Sequence, residues 1–276
     1  GFVVSDLISR IEAACSAGLN GGVPEFLADR RAKPVGGMTF DPLGKKLDLY
    51  EQFRSFESDR ADAIILPCFA AHAFLEEVQG EVRLPVFPLF EALLAKLDRD
   101  YASVRRIGVL STDFVQDSGL FERHLAMSNR TVVYPDADIR KACVMPAMAA
   151  GATGFLEGLR QACRHLIAAG AEVIVPGNAE LFQATTSLQV EGLPVLDVVQ
   201  FYADSIVSTS PAPLKKHFKI GVVGGVGPAA TVDLLNKIVV NTDARCDQEH
   251  VKIVVEQNPQ IPDRTANLLN GGLDPS

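Results

Sequence analysis

Two related stretches of the sequence each place a polar side chain directly after an apolar run. ADAIILPCFAAH, at 61–72, brings Cys68 and His72 to the end of such a run, and AEVIVPGNAELF, at 171–182, has Asn178 at the place of the cysteine. A cysteine at the start of a helix is favoured as its thiolate, so the pKa of Cys68 is expected to fall below about 8.5. Asn178 carries no titratable proton near neutral pH. The repeat predicts two corresponding corners whose side chains point into one cleft.

Each of these residues also has a structural interpretation. Cys68 is either a chemical group or a small buried apolar one, since free cysteines are often buried. His72 lies one helical turn further on, and it either faces the same site or covers the helix surface. Asn178 is either a hydrogen-bond donor to a ligand or a remnant. The sequence leaves these alternatives open.

Composition limits the class of protein and its partners. A chain of 276 residues with 47% hydrophobic residues can bury a large core, and it predicts two lobes or domains. The net charge of -8 argues against a nucleic-acid partner. No apolar stretch reaches about 18 residues, which argues against a membrane and predicts a cytoplasmic protein. The five cysteines show no metal-binding spacing, so no metal is expected.

Short apolar runs alternate with helical patterns along the chain. Their continuous Val, Ile and Leu content is typical of parallel strands covered on both faces, which indicates an α/β architecture. A crossover helix is predicted between Gly151 and Gly170, with Cys163 and His165 serving packing and surface rather than chemistry. The predicted strands are 62–67, 85–89, 106–111, 131–134, 171–176, 194–198, 219–224 and 251–256.

A glycine-rich turn in KIGVVGGVGPAATVDLLNKIV joins a predicted strand to a helix whose first turn begins at Pro228. Gly225, Gly227 and Ala230 fit a dinucleotide-binding turn, with Glu256 as the acceptor for the ribose of NAD. The loop that follows, QNPQIPDRT, is rich in proline and ends in Arg264. Because an arginine fork can bind a carboxylate through two hydrogen bonds, we favour a carboxylate clamp over NAD binding.

These motifs together resemble the aspartate/glutamate racemase family. IGVVGGVGPAAT and NPQIPDRTANLLNGGLDP look like the opening of a family member, ADAIILPCFAAH resembles the first cysteine motif, PCNTxH, and VPGNAEL resembles the second, GCTE. The resemblance implies two similar lobes with parallel sheets flanked by helices, related by a pseudo-twofold axis with a cleft between them. It also implies a racemase without cofactor, in which one cysteine from each lobe exchanges the α-proton of the substrate.

The resemblance assigns roles to individual positions. The catalytic group is Cys68, Asn178 and His72. The substrate, a small acidic amino acid or related carboxylate, would be bound by Arg30, Thr112, Ser118, Glu180, Gly227, Pro228, Asn258 and Arg264. Polar positions of the family are replaced in this chain by Phe69, Ala70, Phe114, Val115, Ala149 and Ala179. A homodimer is expected.

The order of the motifs predicts part of a tandem protein. The start of the chain, GFVVSDLISRI, aligns with GPAATVDLLNKI, so the first unit resembles a family member without its opening strand. Lobe 1 is expected at 1–90 with a returning helix at 199–208, and lobe 2 at 91–198. A linker at 209–218 would then lead to 219–276. This last segment is either the start of a second unit or a strand that completes lobe 1 by pairing with the strand at 62–67.

Three functions follow from these observations. The main one is a racemase-family enzyme acting on an aspartate-like or glutamate-like substrate, with a first unit that has become degenerate. The alternative is a non-catalytic member that binds a ligand or holds an oligomer together. An NAD-binding α/β enzyme is the third.

Overall fold

The chain divides into two units, Gly1–Leu214 and Lys215–Ser276, and their boundary falls inside the predicted linker at 209–218. The structure is a computed structural model. It describes residues 2–18, 25–27, 41–150, 152–209, 219–224, 228–247 and 250–257.

Unit 1 alternates helices with short parallel strands. Its α-helices are α1 (Phe2–Gly18), α2 (Pro42–Ser58), α3 (Leu75–Gln79), α4 (Leu89–Asp100), α5 (Asp113–Asp117), α6 (Leu120–Leu125), α7 (Ala137–Ile139), α8 (Met145–Ala150), α9 (Leu156–Ala168), α10 (Thr185–Val190) and α11 (Val198–Ser208). Its strands are β1 (Arg106–Leu110), β2 (Thr131–Val133) and β3 (Val173–Pro176). Single-turn 3₁₀ segments lie at Ala70–Phe74, Ala126–Ser128, Ala152–Phe155 and Ala179–Ala184, and a π-helical turn lies at Arg140–Val144.

The three strands of unit 1 form a parallel sheet in the order β2-β1-β3. Ile107 and Gly108 of β1 lie beside Val173 and Ile174 of β3, and all four residues of β3 are buried. The apolar runs at 106–111, 131–134 and 171–176 therefore form the strands that the sequence predicts. Gly108 is needed because a Cβ there would lie 2.9 Å from the Cβ of Ala171.

The two related stretches make the same backbone contacts. Ile64 donates its N–H to the carbonyl of Pro85 (2.8 Å) and accepts from Phe87 (2.9 Å). Ile174 does the same with Pro194 (2.8 Å) and Leu196 (2.8 Å). Each stretch then turns into a 3₁₀ segment, Ala70–Phe74 or Ala179–Ala184, followed by an α-helix. The internal repeat in the sequence thus corresponds to a repeat in the backbone.

The prediction of full strands at 62–67, 85–89 and 194–198 was wrong. These segments form single parallel bridges, Ile64↔Val86 and Ile174↔Val195. Proline explains part of the difference, because Pro85 and Pro194 have no N–H with which to extend a ladder. The second parallel sheet of this α/β fold, which is flanked by helices like the first, lies in unit 2 rather than in lobe 1.

Helix α11 packs against the core of unit 1 and is hydrogen-bonded to residues beside the Ile64↔Val86 bridge. The Tyr202 hydroxyl donates to the carbonyl of Phe87 (2.8 Å) and accepts from the N–H of Leu66 (3.3 Å). Arg10 of α1 bonds Asp197 at the start of α11 (2.7 Å) and Asp6 on its own helix (2.9 Å). Helix α11 spans the residues 199–208 at which a returning helix is expected, and its ion pair with Arg10 connects it to α1. The assignment of this helix to lobe 1 stays a prediction.

Unit 2 contains a parallel pair of strands joined by a helix: β4 (Lys219–Gly224), α12 (Pro228–Asn241) and β5 (Lys252–Gln257). Val222 lies beside Val255 in the pair. The helix begins at Pro228, as the sequence predicts, and Thr231 donates its hydroxyl to the side chain of Gln257 (2.6 Å). Pairing of 219–224 with the segment 62–67, which contributes a single bridge residue, Ile64, stays a prediction.

No helix within the described residues combines the length and the apolar character that crossing a bilayer requires.

Candidate functional site

The first corner holds Cys68 at the start of the 3₁₀ segment Ala70–Phe74. Its sulfur faces the backbone N–H groups of Ala70 and Ala71, which favour the thiolate. The loss of surrounding water nevertheless has the largest effect, and the pKa of Cys68 is raised to about 11. The expectation of a lowered pKa was therefore wrong, because burial outweighs the helix-end N–H groups. At neutral pH the residue is a thiol.

His72 is turned towards the backbone of its own corner. Its Nδ1 lies 2.8 Å from the carbonyl oxygen of Cys68, and since a carbonyl only accepts, this nitrogen carries the proton. Burial lowers the pKa of His72 to about 4, and the ring meets the edge of Phe90 at 5.7 Å. The other nitrogen, Nε2, is buried without a partner among the described residues. His72 is thus neutral and keeps one unused acceptor.

The second corner holds Asn178, which is 6% exposed. Its Oδ1 accepts a hydrogen bond from the backbone N–H of Thr112 (3.0 Å), just beyond the end of β1. The preceding Gly177 lets the corner pack on β1, since a Cβ there would lie 2.9 Å from Val109. The amide oxygen of Asn178 is therefore occupied by the protein itself, and the side chain joins the second corner to the loop after β1.

Thr112 and Ser118 bracket the short helix α5 in that loop. Thr112 is its N-terminal cap residue, and the Ser118 hydroxyl donates to the carbonyl of Val115 at 2.7 Å. Ser111, which the sequence did not single out, is fully buried and its hydroxyl has no partner in the described part of the chain. The Ser118 hydroxyl thus supports the fold of the loop, and Thr112 does so through its backbone N–H rather than its hydroxyl.

Two charged side chains act on the Cys68 thiol from different parts of unit 1. The carboxylate of Glu180 contributes to the raised pKa of Cys68, whereas the ammonium group of Lys45 opposes it. Glu180 lies in the 3₁₀ segment after Asn178, and Lys45 lies in the first turn of α2. The role of Glu180 in substrate binding, which the resemblance implies, stays a prediction. Lys45 was not among the predicted site residues, and no motif singles it out beyond its place after Asp41 and Pro42.

Aromatic side chains fill the space between the two corners. Phe69, next to Cys68, is fully buried and its ring centroid lies 6.5 Å from that of Phe182 in the second corner. Phe69 also contacts Phe90 at 4.9 Å and Phe121 at 5.0 Å. The Phe69 ring thus occupies a position at which the resemblance implies a polar residue.

A second ring pair makes a similar link beside the first. Phe74, at the end of the first 3₁₀ segment, stacks on Phe114 of α5, with centroids 5.6 Å apart and planes inclined at 25°. Phe114 is another position at which the resemblance implies a polar residue. The contact joins the first corner to the loop after β1.

The remaining predicted site residues fall outside the described residues or belong to unit 2. Arg30, Gly227, Asn258 and Arg264 fall outside the described residues, as does the glycine turn proposed for NAD. Pro228 is exposed at the start of α12 in unit 2. Within the ranges that the structure describes, no three His, Cys, Asp or Glu side chains are grouped closely enough to hold a metal ion.

Comparison with known proteins gives one family and several similar folds. The model of a family described as Asp/Glu/Hydantoin racemase matches residues 5–206. A glutamate racemase isoform from Bacillus anthracis has a TM-score of 0.56 at 13% identity, covering 94% of this chain and 95% of that one. The aspartate racemase of Picrophilus torridus has a TM-score of 0.56 at 16% identity, with coverage of 75% and 88%.

An aspartate racemase homologue from Pyrococcus horikoshii OT3 is similar to the same degree. Its TM-score is 0.55 at 18% identity, and the match covers 75% of this chain and 92% of that one. At such low identities these similarities concern the fold.

Proposed function

Because the chain belongs to the Asp/Glu/hydantoin racemase family, we propose that residues 5–206 form a racemase-type unit that takes a small acidic amino acid or related carboxylate without inverting its α-carbon. In this proposal the two corners are related by a pseudo-twofold axis and face one cleft. The matching hydrogen bonds of Ile64 and Ile174 support that relation. The unit would be a degenerate member of an isomerase family, with Asn178 in the place of the second catalytic cysteine.

The observation that carries the proposal is the state of Asn178. Inversion needs a proton carrier on each side of the α-carbon, one to remove the proton and one to return it. An amide does not titrate near neutral pH, and the Oδ1 of Asn178 is already bonded to Thr112. Proton transfer would therefore be confined to the face of Cys68.

The protonation state of Cys68 limits exchange of the α-proton even on the one face that this residue could serve. With a pKa of about 11, roughly one thiol in a thousand is ionised at pH 8. The aromatic contacts of Phe69 further reduce the room for a substrate that must align its α-carbon with the sulfur. Slow uptake of solvent deuterium into one enantiomer is the most that this geometry supports.

Incubation in deuterated buffer tests the proposal. The chain is mixed separately with L- and D-aspartate and with L- and D-glutamate, and the products are analysed by chiral chromatography and mass spectrometry. We expect no interconversion of enantiomers. Asn178→Cys should restore little activity, and Asn178→Ser serves as its control, since misplacement of the α-carbon costs on the order of 100-fold in rate. Robust racemization that Cys68→Ser abolishes would show the proposal to be wrong.

A homodimer is a second part of the proposal, and one observation in unit 2 favours it. Val223 of β4 is 90% exposed, and Val240 of α12 is 73% exposed. Apolar side chains so exposed favour a partner surface. Sedimentation equilibrium of the 276-residue chain should give twice the monomer mass, and a single monomeric species would refute the dimer.

The tandem arrangement is also proposed. Its support is the sequence at 219–276, which resembles the opening of a family unit, together with the β4-α12-β5 order of unit 2. In this arrangement a second complete unit would carry the racemase activity that the first unit lacks. A longer version of the chain that still shows no racemase activity would argue against this.

A further inference from the structure

The segment before Cys68 has one backbone edge that is paired and one that is not. Ile64 directs its N–H and its carbonyl towards the bridge at Val86. Because successive residues of an extended chain direct these groups to opposite sides, Ala63 and Ile65 direct theirs to the other edge. Within the described residues, neither the N–H nor the carbonyl of these two residues is hydrogen-bonded. We call this half-buried pair, Ala63 and Ile65, the open edge.

In the second corner the equivalent edge is covered by β1. Val173 and Val175, which correspond to the two residues of the open edge, pair with Ile107 and Val109 of β1 in parallel register. Both β1 residues are fully buried. The backbone repeat therefore shows what the open edge accommodates, namely a parallel strand with apolar side chains on both faces.

Strand β4 resembles β1 in sequence but not in its surroundings. β1 reads RIGVL and β4 begins KIGVV, with a glycine at the same place. β1 lies between β2 and β3, whereas in the described part of the chain β4 is paired with β5 alone. Leu110 at the end of β1 is 1% exposed, but Val223 at the corresponding place in β4 is 90% exposed. An unpaired strand edge with exposed apolar side chains favours pairing with another strand edge.

We propose that β4 of a second copy of this chain adds to the open edge as a parallel strand. The register follows from β1 and β3, where Gly108 lies beside Ile174 and Leu110 beside Pro176. Transferred to the first corner, it places Gly221 beside Ile64 and Val223 beside Leu66. This placement rests on the homodimer of the proposed function and identifies the surface that forms it.

The open edge and β4 lie in different units of one chain, which favours reciprocal exchange between two copies. The edge belongs to Gly1–Leu214, and β4 belongs to Lys215–Ser276. If each copy donates β4 to the other, a twofold dimer pairs both edges and both strands and leaves no site for a third copy. The added backbone hydrogen bonds satisfy polar groups that are half-buried at the open edge, and Val223 is covered at the same time.

Sedimentation equilibrium of the 276-residue chain tests the part played by β4. Val223→Lys puts a charge where the proposed dimer buries a valine, so the dissociation constant of the dimer should rise at least about tenfold. Circular dichroism should be unchanged, because Val223 is exposed within the single chain. Val190→Lys is the matched control, since this valine of α10 is 83% exposed and lies outside the proposed surface. It should leave the dissociation constant within about threefold.

A mixture of two variants tests the exchange itself. Ile65→Pro removes the N–H that faces the open edge and breaks no hydrogen bond of the described residues. Ile65→Pro and Val223→Lys should each be monomeric at concentrations where the native chain is dimeric. Mixed together, the first supplies an intact β4 and the second an intact open edge. Native mass spectrometry should therefore detect a heterodimer with one complete strand junction.

Hydrogen exchange gives a measure that does not need the proline variant to fold. The amide of Ile65 should exchange at least about tenfold faster in Val223→Lys than in the native dimer, because its partner strand is lost. In Val190→Lys its exchange should match that of the native chain.

The inference is overturned if Val223→Lys dimerises as tightly as the native chain, a result that leaves the proposed homodimer standing on another surface. It is also overturned if the two folded variants form no heterodimer. A monomeric native chain with a protected Ile65 amide would place β4 on the open edge of its own chain and refute exchange between copies. The deuterium and chiral assays are independent of these measurements, so the predicted absence of racemization stands or fails separately.

Discussion

At Cys68 the backbone and the surroundings act in opposite directions. The N–H groups of Ala70 and Ala71 and the charge of Lys45 favour the thiolate, whereas burial and the charge of Glu180 favour the thiol. Burial has the largest effect, and the pKa rises to about 11. A cysteine in this state can donate a proton but is a scarce base at neutral pH.

The pH dependence of alkylation tests this balance. Only the thiolate reacts with iodoacetamide, so the labelling rate of Cys68 should rise about tenfold per pH unit from pH 8 to pH 10 without levelling. Quenched samples are digested, and the peptide with Cys68 is followed by mass spectrometry. Glu180→Gln should speed labelling at pH 8 and Lys45→Met should slow it. A plateau by pH 9 would contradict the raised pKa.

His72 should make stability depend on pH in the acidic range. Its folded-state pKa is about 4, below the ordinary 6.5, so folding favours the neutral ring. This contribution is complete above pH 6.5 and is lost as the pH falls towards 4, with a total on the order of 3 kcal/mol. His72→Asn retains an N–H donor but does not titrate. Urea unfolding of this variant between pH 7 and pH 4 should therefore vary less than that of the native chain.

His124 provides the matched control for that experiment. Its ring stacks on Phe90 at 3.8 Å, and burial also lowers its pKa, but the residue is exposed. Solvent screening should make its contribution small. His124→Asn is expected to leave most of the acid sensitivity in place. If it removes as much as His72→Asn, the buried ring of His72 is not the cause.

Single residues show where sequence reasoning succeeds and where it stops. The repeat was enough to predict that Cys68 and Asn178 occupy corresponding corners, because strand and turn patterns are local. The sign of the pKa shift at Cys68 was wrong, since burial depends on Phe69 and its distant neighbours. Lys45 was missed for the same reason: its approach to Cys68 depends on how α2 packs, which no local motif encodes.

At the scale of elements, Tyr202 connects α11 to the bridge of the first corner. Its hydroxyl satisfies the carbonyl of Phe87 and the N–H of Leu66. Tyr202→Phe would leave both groups unsatisfied, at a cost of about 1 to 3 kcal/mol. The midpoint of urea unfolding should fall accordingly. Tyr101→Phe is the control, because that hydroxyl has no hydrogen bond in the described residues; equal losses would refute the role of Tyr202.

Two glycines at equivalent places in similar strands should respond differently to alanine. β1 reads RIGVL and β4 reads KIGVV, with Gly108 and Gly221 in the third position. A Cβ at Gly108 would meet Ala171 at 2.9 Å, whereas nothing lies within 4 Å of one at Gly221. Gly108→Ala should destabilise unit 1 by about 1 to 3 kcal/mol, and Gly221→Ala should have little effect. Thermal unfolding checks both, and equal effects would contradict the difference in packing.

The strands themselves were predictable to different degrees. β1 and β3 could be predicted because each is a short apolar run, and the two runs pair with each other in the sheet. The bridges at Val86 and Val195 fall short of strands because prolines precede both residues and because Tyr202 takes the N–H of Leu66. Apolar content identifies which residues are buried, but the hydrogen-bonding capacity of each N–H decides the length of a strand.

At the scale of the molecule, buried apolar residues concentrate in unit 1. Its clusters join helices and strands from Leu7 to Ala203, and Phe69 connects the first corner to the second within them. Unit 2 buries Val222 and Thr231 in its described part, while several of its valines are exposed. Stability therefore depends on different surfaces in the two units.

This contrast leads to a prediction for the separate units. Residues 1–214, expressed alone, should fold with a cooperative thermal transition, since the core clusters are all contained within them. Residues 215–276 should aggregate or remain unfolded, because the two-stranded sheet and single helix in the described part of this unit bury too little apolar surface for independent stability. Circular dichroism and light scattering of the two fragments provide the comparison. A stable, monomeric fragment 215–276 would show that its exposed valines, with Val223 foremost, need no partner surface.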